Sequence, residues 1–365
     1  MKRSISSADL AMRMMAFRPA SPDVAAVNKL VEFARGYLAG HGVLTRVERL
    51  KGRKVLWAAT GPGRVQPLVF NAHLDVVPQD EASARIGVRG GWLYGRGSGD
   101  CLGNAAVLCN LLIACRGNAR VGALFSTDEE IGGHTTALML ERGYAGSFIV
   151  VLDAGGLKPH LVIAQKGILT LRLTARGRSG HGSAPWKCDN ALDRLIDGYL
   201  KIRTLFPPVR DGDTWHTTCA ATQCDAGTHV YNRIPDRADM VLNIRWTDAD
   251  TPGDIIRRIK AVSGLAVERI ELSPMVGTDP DAAAIRMLRL HMARALRRPV
   301  SLIRMNGATD ARHFAKLRVP VVATSIPYEG AHASIERASL SGMARYERIL
   351  TDFARIFAPS GRAGQ

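Results

Sequence analysis

Apolar, β-branched segments separated by helical stretches recur through the first half of this chain, and that rhythm constrains the fold more than any other feature. After a helical segment over Pro22 to His41, Val65 to Val77 reads as strand, Asn104 to Arg116 as helix and Val121 to Thr127 as strand. Thr135 to Arg142 then reads as helix and Ser147 to Leu152 as strand. Strand and helix in turn, at this spacing, predict a largely parallel sheet covered on both faces. In such sheets, functional residues collect at the carboxyl ends of the strands.

The rhythm changes near Lys166. Gly167 to Arg176 alternates as a half-buried strand and Asn190 to Phe206 is an amphipathic helix. Thr217 to Cys224 and Ala238 to Thr247 read as strands, Pro252 to Val262 as helix and Leu265 to Leu272 as strand. That order, βαββαβ, is the ferredoxin-like split unit. Strand–helix alternation then resumes: helix over Asp281 to Arg298, strand over Val300 to Met305, helix over Asp310 to Leu317, strand over Val319 to Ser325, helix over Leu340 to Phe357. The expectation is one α/β domain of three layers, residues 1–165 and 276–365, interrupted by a smaller α+β domain over 166–275.

The run Leu68-Val-Phe-Asn-Ala-His-Leu-Asp-Val-Val-Pro78 places His73 and Asp75 together at the end of a strand. Residues i and i+2 share a strand face, so the pair reads either as an ordinary hydrogen-bonded couple or as a metal-ligating imidazole oriented by an acid. Further positions bear on that choice. Asp100 ends the glycine-dense loop Gly95-Arg-Gly-Ser-Gly-Asp, ahead of a helix. Glu129 and Glu130 follow the Val121 strand, Asp153 ends Phe148-Ile-Val-Val-Leu-Asp, and His332 lies beyond the strand over Val319 to Ser325. Strand ends on one edge of a parallel sheet lie close together in space. Two histidines with several carboxylates suit Zn²⁺, and also Co²⁺ or Mn²⁺. They are enough for two ions sharing one carboxylate, with an unligated carboxylate left over as general base.

On these residues the sequence resembles the M20 zinc amidohydrolases and exopeptidases, among them acetylornithine deacetylase, succinyl-diaminopimelate desuccinylase and carboxypeptidase G2. His73-Leu-Asp-Val-Val-Pro78 is similar to that family's HxDxVP, Leu93-Tyr-Gly-Arg-Gly-Ser-Gly-Asp100 to its LyGRGxxD, and Asp128-Glu-Glu-Ile-Gly132 to its DEExG segment. The resemblance runs from about Pro19 to Phe357 and includes the inserted unit. It implies one metal held by His73, Asp100 and Asp153 and a second held by Asp100, Glu130 and His332, with Glu129 as general base and Asp75 orienting His73. In the inserted lid, Gly180-His181-Gly-Ser-Ala-Pro185 implies that His181 stabilises the oxyanion, in relatives reaching across a dimer. Asn232-Arg-Ile-Pro-Asp236 and Arg245 imply a grip on a substrate carboxylate. Gly307-Ala-Thr-Asp-Ala-Arg-His-Phe314 implies substrate contacts from Thr309 and Arg312. The implied activity is hydrolysis of an N-acyl amino acid by a homodimer paired through its lids. A dipeptidase or carboxypeptidase of the same family is the alternative, and a basic binding protein that has lost catalysis is the rival from another class.

The sequence departs from the family at three places. Asp100 is followed by Cys101-Leu-Gly-Asn104 instead of Met-Lys-Gly-Gly, which replaces a lysine and brings a thiol beside the shared ligand. Asp153 stands where the biosynthetic deacylases carry glutamate, a difference that bears on specificity. The segment His332-Ala-Ser-Ile335-Glu336 carries isoleucine in a polar place, with His313 as the fallback ligand; His134 and His229 match no assigned position.

The formal net charge is +16, with the bases spread along the chain and only 6% of residues aromatic. That distribution describes a solvated basic surface, favourable to anionic small molecules, and lacks the basic–aromatic interleaving of a nucleic-acid site. No apolar leader follows Met1, and the longest apolar run, Ala105 to Cys115, is shorter than the ~20 residues a membrane span requires. The six cysteines form no CxxC pair, in keeping with reduced thiols in the cytoplasm.

Overall fold

The structure is a computed structural model that describes residues 4–210, 212–227 and 230–360; His229 falls outside them. It divides into two compact units, one of Met1–Ala164, Gly277–Ile303 and Thr309–Gln365, the other of Gln165–Val276 with Arg304–Ala308.

The first unit is built on a mixed, mostly parallel sheet. Val121–Ser126, Val65–His73, Ala145–Val151 and Val321–Ala323 lie side by side, all parallel. Antiparallel strands extend both edges: the hairpin Leu44–Leu50 and Arg53–Ala59 on one side, His160–Gln165 on the other. The strands carry near-continuous apolar runs because both faces are covered. Leu68, Phe70 and Ala72 join the main core, which also takes in helices Ser7–Met15, Val24–Gly40, Leu102–Cys115, Ala283–Leu296 and Leu340–Phe357. The alternate residues face away from that core, towards the layer holding His134–Glu141 and Ala311–Phe314.

Helix Leu102–Cys115 is apolar on nearly every side, the pattern of a helix enclosed by protein. Helices Ser7–Met15 and Leu340–Phe357 flank it, which uses faces that a surface helix would turn to water. Helix Ser7–Met15 and the hairpin were not anticipated above, although both carry local signals. Ser6 accepts the Asp9 amide as an N-cap, and Lys51-Gly52 form a turn with φ of 47° and 83°. The strand His160–Gln165 was also unanticipated.

The second unit has a four-stranded antiparallel sheet in the order Thr218–Asp225, Arg237–Trp246, Gly167–Arg176, Ala266–Ser273. Helices Ala191–Arg203 and Pro252–Ser263 share a core with it, formed by residues such as Leu171, Leu195, Leu242 and Ile259. Asn190 and Thr251 cap the two helices, and Gly264 closes the second in the left-handed conformation. This strand order and helix placement are those of the split βαββαβ arrangement.

Phe148, fully buried on the central sheet, packs its ring against Phe353 and Phe357 at centroid distances of 6.2 and 5.5 Å. Phe148→Ala is expected to cost about 3–5 kcal/mol, read as a lower urea midpoint of the full-length chain.

Candidate metal centre

Sheet register explains why residues distant in sequence meet. His73 pairs with Ser126, and Asn71 with Val151, so the strand carrying Glu129 beyond its end and the strand carrying Asp153 finish level with His73. Parallel pairing of Val321–Ala323 with Ile149–Val151 aligns a fourth strand, after which the chain runs on to His332. The loop from Gly95 to Asp100 leads directly into helix Leu102–Cys115.

The side chains converge accordingly. His73 Nε2 lies 2.9 Å from Asp100 Oδ1 and 4.0 Å from Asp153 Oδ2. His332 Nε2 lies 3.4 Å from Asp100 Oδ2 and 3.1 Å from Glu130 Oε2. Asp100 therefore stands between the two imidazoles. Donor atoms of His73, Glu129 and Asp153 fall within 4.8 Å of one another, as do those of His73, Asp100 and Glu130. The His73 side chain is 2% exposed and that of His332 is 55% exposed, so the first imidazole forms the floor of the cluster and the second its rim. His313 donates from Nε2 to the Gly132 carbonyl at 3.2 Å, and it belongs to neither of these two donor groups.

Buried Asp75 holds two elements at once. The His73 Nδ1–H donates to the Asp75 backbone carbonyl at 2.8 Å, nearer than the Asp75 carboxylate at 3.6 Å. That bond fixes the tautomer and leaves Nε2 facing the acids. The Asp75 carboxylate accepts the Ser21 hydroxyl at 2.7 Å and the amides of Glu129 and Glu130 at 3.2 and 3.4 Å. Asp128 anchors the far end of that acidic turn by accepting the Thr135 hydroxyl and amide. Neither Ser21 nor Asp128 was assigned a role above.

Four carboxylates in a half-enclosed cluster repel one another, and their proton affinities register it. Burial and the Asp100 charge push Asp153 up to about 7. Burial, then Asp153, pushes Glu129 well above the ordinary carboxylate range, and burial raises Glu130. Asp100 moves the other way: burial opposes its charge, yet bonds from His332 and His73 hold it well below that range. Hydrogen bonding to Asp100, reinforced by Glu130, pushes His332 up to about 9. Burial works against a charged His73, but Asp100 and Asp75 keep its pKa well above the usual value. Excess acid with two imidazoles is a donor set suited to divalent cations.

The remaining candidates lie in both units. Thr309 Oγ1 accepts the Ala311 amide, and Arg312 is buried beside it, with its charge felt at Glu129. In the second unit, His181 and Asn232 are neighbours across a two-residue strand pair, with Asn232 Nδ2 3.4 Å from His181 Nε2. Arg245 donates to Asn243 within its own strand.

The sequence profile described as peptidase family M20/M25/M40 matches residues 69–356. The chain belongs to this family. As an M20 member it is a metallohydrolase acting on linear amide or peptide bonds. A succinyl-diaminopimelate desuccinylase of Methylorubrum extorquens is 32% identical over 320 residues, covering 78% of this chain and 82% of that one. The Helicobacter hepaticus protein of the same name is 25% identical, covering 80% of each. Among solved structures, aminopeptidase PepT from Bacillus cereus superposes with a TM-score of 0.76 at 18% identity, covering 97% of this chain and 99% of that one. An M20 family metallo-carboxypeptidase from Sulfolobus solfataricus gives 0.77 at 16% identity, with the same coverage. At these identities, the superpositions describe the fold. Among the described residues, no helix of this M20 chain is long and apolar enough to cross a membrane.

The raised groups have a common consequence for the metal-free protein. An aspartate held near 7 when folded, against ~3.9 when unfolded, weakens the fold progressively as pH rises between those values. A histidine held near 9 stabilises the fold fully below ~6.5, and that contribution is lost as pH rises through 9. Both effects have one sign, and a bound cation would displace the protons concerned. The gap in thermal midpoint between metal-loaded and metal-free protein is therefore expected to widen from about pH 5 to about pH 8.5. Paired melting curves check this; a constant gap would contradict it.

Proposed function

We propose that this M20 hydrolase cleaves the amide bond of a small N-acyl amino acid, in the manner of an acetylornithine deacetylase or a succinyl-diaminopimelate desuccinylase. The observation that carries the chemistry is the meeting of His73, Glu129, Glu130 and Asp153, from strand ends, with Asp100 from the loop before a helix and His332 at the rim. The likeness to desuccinylases over four-fifths of the chain supports the substrate class, and a net charge of +16 suits a multiply anionic substrate.

In this reading His73, Asp100 and Asp153 would hold one divalent ion, and Asp100, Glu130 and His332 would hold the other. Two imidazoles among carboxylates favour Zn²⁺, with Co²⁺ or Mn²⁺ accepted by the same donors. When bound, the ions supply Lewis acidity for the substrate carbonyl and lower the pKa of water.

The chain's own groups perform the proton chemistry. Glu129, fixed through its amide to Asp75, takes the proton of the attacking water and returns it to the departing amine nitrogen. Burial, then Asp153, raises its pKa, which strengthens it as a base towards the water proton it must later hand on. His181 donates to the oxyanion of the tetrahedral intermediate. Asn232 and Arg245 hold the substrate carboxylate, Arg245 with its planar guanidinium, and Thr309 and Arg312 complete the binding surface. We read the second unit as a lid and as the surface that pairs two copies into a homodimer, and we place the enzyme in the cytoplasm, where its six unpaired thiols stay reduced.

A second reading, a dipeptidase or carboxypeptidase of the same family, is favoured by one residue. Asp153 offers a shorter arm than the glutamate expected of the biosynthetic deacylases.

Assays on N-acetyl amino acids, N-succinyl-diaminopimelate and dipeptides, with and without chelator, separate the two. The expected result is chelator-sensitive release of the acyl group, and preferential dipeptide cleavage would overturn the deacylase reading. Glu129→Gln is expected to lower kcat by roughly 10²–10⁴-fold with metal content unchanged. Retained turnover in that variant would remove Glu129 from its role.

A further inference from the structure

Glu336 is almost wholly buried, and each oxygen of its carboxylate is filled by donors from the loop that ends in Asp100. Oε1 accepts the amides of Gly99 and Asp100, both at 2.9 Å. Oε2 accepts the Gly97 amide at 3.0 Å and Arg96 Nη1 at 2.9 Å. The other arm of Arg96 reaches back, donating from Nη2 to the Ala333 carbonyl at 2.9 Å. Arg96 is itself buried and cancels the Glu336 charge, so the pair adds no net charge next to the acidic cluster.

The contacts bracket two of the proposed ligands. The Asp100 amide bonded to Glu336 belongs to the residue whose carboxylate stands between His73 and His332. Ala333 directly follows His332, whose backbone is held in the left-handed region at φ 62°. One carboxylate and one guanidinium thus tie the Asp100 loop to the His332 turn, which the sequence separates by more than two hundred residues.

We propose that Glu336 is a positioning residue: with Arg96 it clamps the Asp100 loop to the His332 turn, and so sets the distance between the shared carboxylate and the outer imidazole of the metal centre. The proposal rests on the metal-centre reading above. Glu336 touches neither ion nor substrate and acts only through Asp100 and His332. A carboxylate is required because it offers acceptors in all four directions from which donors arrive. In Glu336→Gln, whichever way the amide turns, its NH₂ group points at two donors.

The test compares metal uptake by wild-type and variant full-length protein, stripped with chelator and titrated with Zn²⁺ in a calorimeter or with Co²⁺ by visible absorption. Wild-type protein is expected to bind two ions. Glu336→Gln is expected to bind them roughly 10–100-fold more weakly, with an altered Co²⁺ ligand-field spectrum and a fall in kcat larger than any change in KM. A role confined to fold stability would lower the melting temperature and leave the affinity and spectrum of the folded protein unchanged, and that result would overturn the clamp. Arg96→Met, which leaves the Glu336 backbone contacts in place, provides the second arm should the first variant not fold. It is expected to weaken metal in the same direction by a smaller factor, and wild-type affinity there overturns the clamp equally. A wild-type protein that takes up no ion would overturn the metal-centre reading and the clamp with it, an outcome distinct from normal uptake in every variant.

Discussion

Parallel pairing of four buried strands is the constraint on which the rest of this structure depends. Because the strands run in the same direction and in a fixed register, the residues just past their ends arrive at one edge together. A shift of one residue would exchange the two faces of a strand. It would turn Leu68, Phe70 and Ala72 away from the helical core and take the His73 ring away from Asp100 and Asp153. The apolar core therefore does more than stabilise the domain. It supplies the rigidity that keeps several like charges close together, an arrangement that mutual repulsion alone would open.

Around that edge the chain adds a second level of order, made of hydrogen bonds instead of apolar contacts. Asp75 joins the His73 ring to the turn carrying Glu129 and Glu130. Glu336 joins the Asp100 loop to the segment carrying His332. Gly99 fits this design because a Cβ there would run into the Tyr328 ring. These connections share a logic. A buried carboxylate that accepts backbone amides fixes the path of a loop more tightly than a side-chain contact does, because the amides themselves define the chain.

Much of the fold was legible from residue order. The strand–helix rhythm, the change near Lys166 and the end-of-strand positions of His73 and Asp153 all follow from hydrophobic periodicity. Elements whose signals are weaker or local were harder to see. Helix Ser7–Met15 is short, and its burial depends on the Leu102–Cys115 helix, which offers it an apolar surface. The hairpin Leu44–Leu50 and Arg53–Ala59 carries many charges, so its alternation is easily mistaken for loop. At the site, Glu336 lay inside a quoted motif without a role. Nothing about a lone glutamate says that four donors from another part of the chain will surround it.

What the sequence determined by itself is the inventory: the parallel strands at the centre of the sheet, which acids and imidazoles follow them, and that these residue types suit a hydrolytic metal centre. The family resemblance was readable in the same short motifs, since each lies within a few consecutive residues. What only the tertiary structure decided is how those residues meet. The nearer partner of His73 Nδ1 proves to be a carbonyl, the Asp75 carboxylate serves the neighbouring turn, and Arg96 and Glu336 close a bond across most of the chain. The physical reason is range. Periodicity and turn chemistry act over a few residues and can be read in order, whereas burial, repulsion among acids and the filling of a buried carboxylate depend on groups brought together only by the register of the sheet.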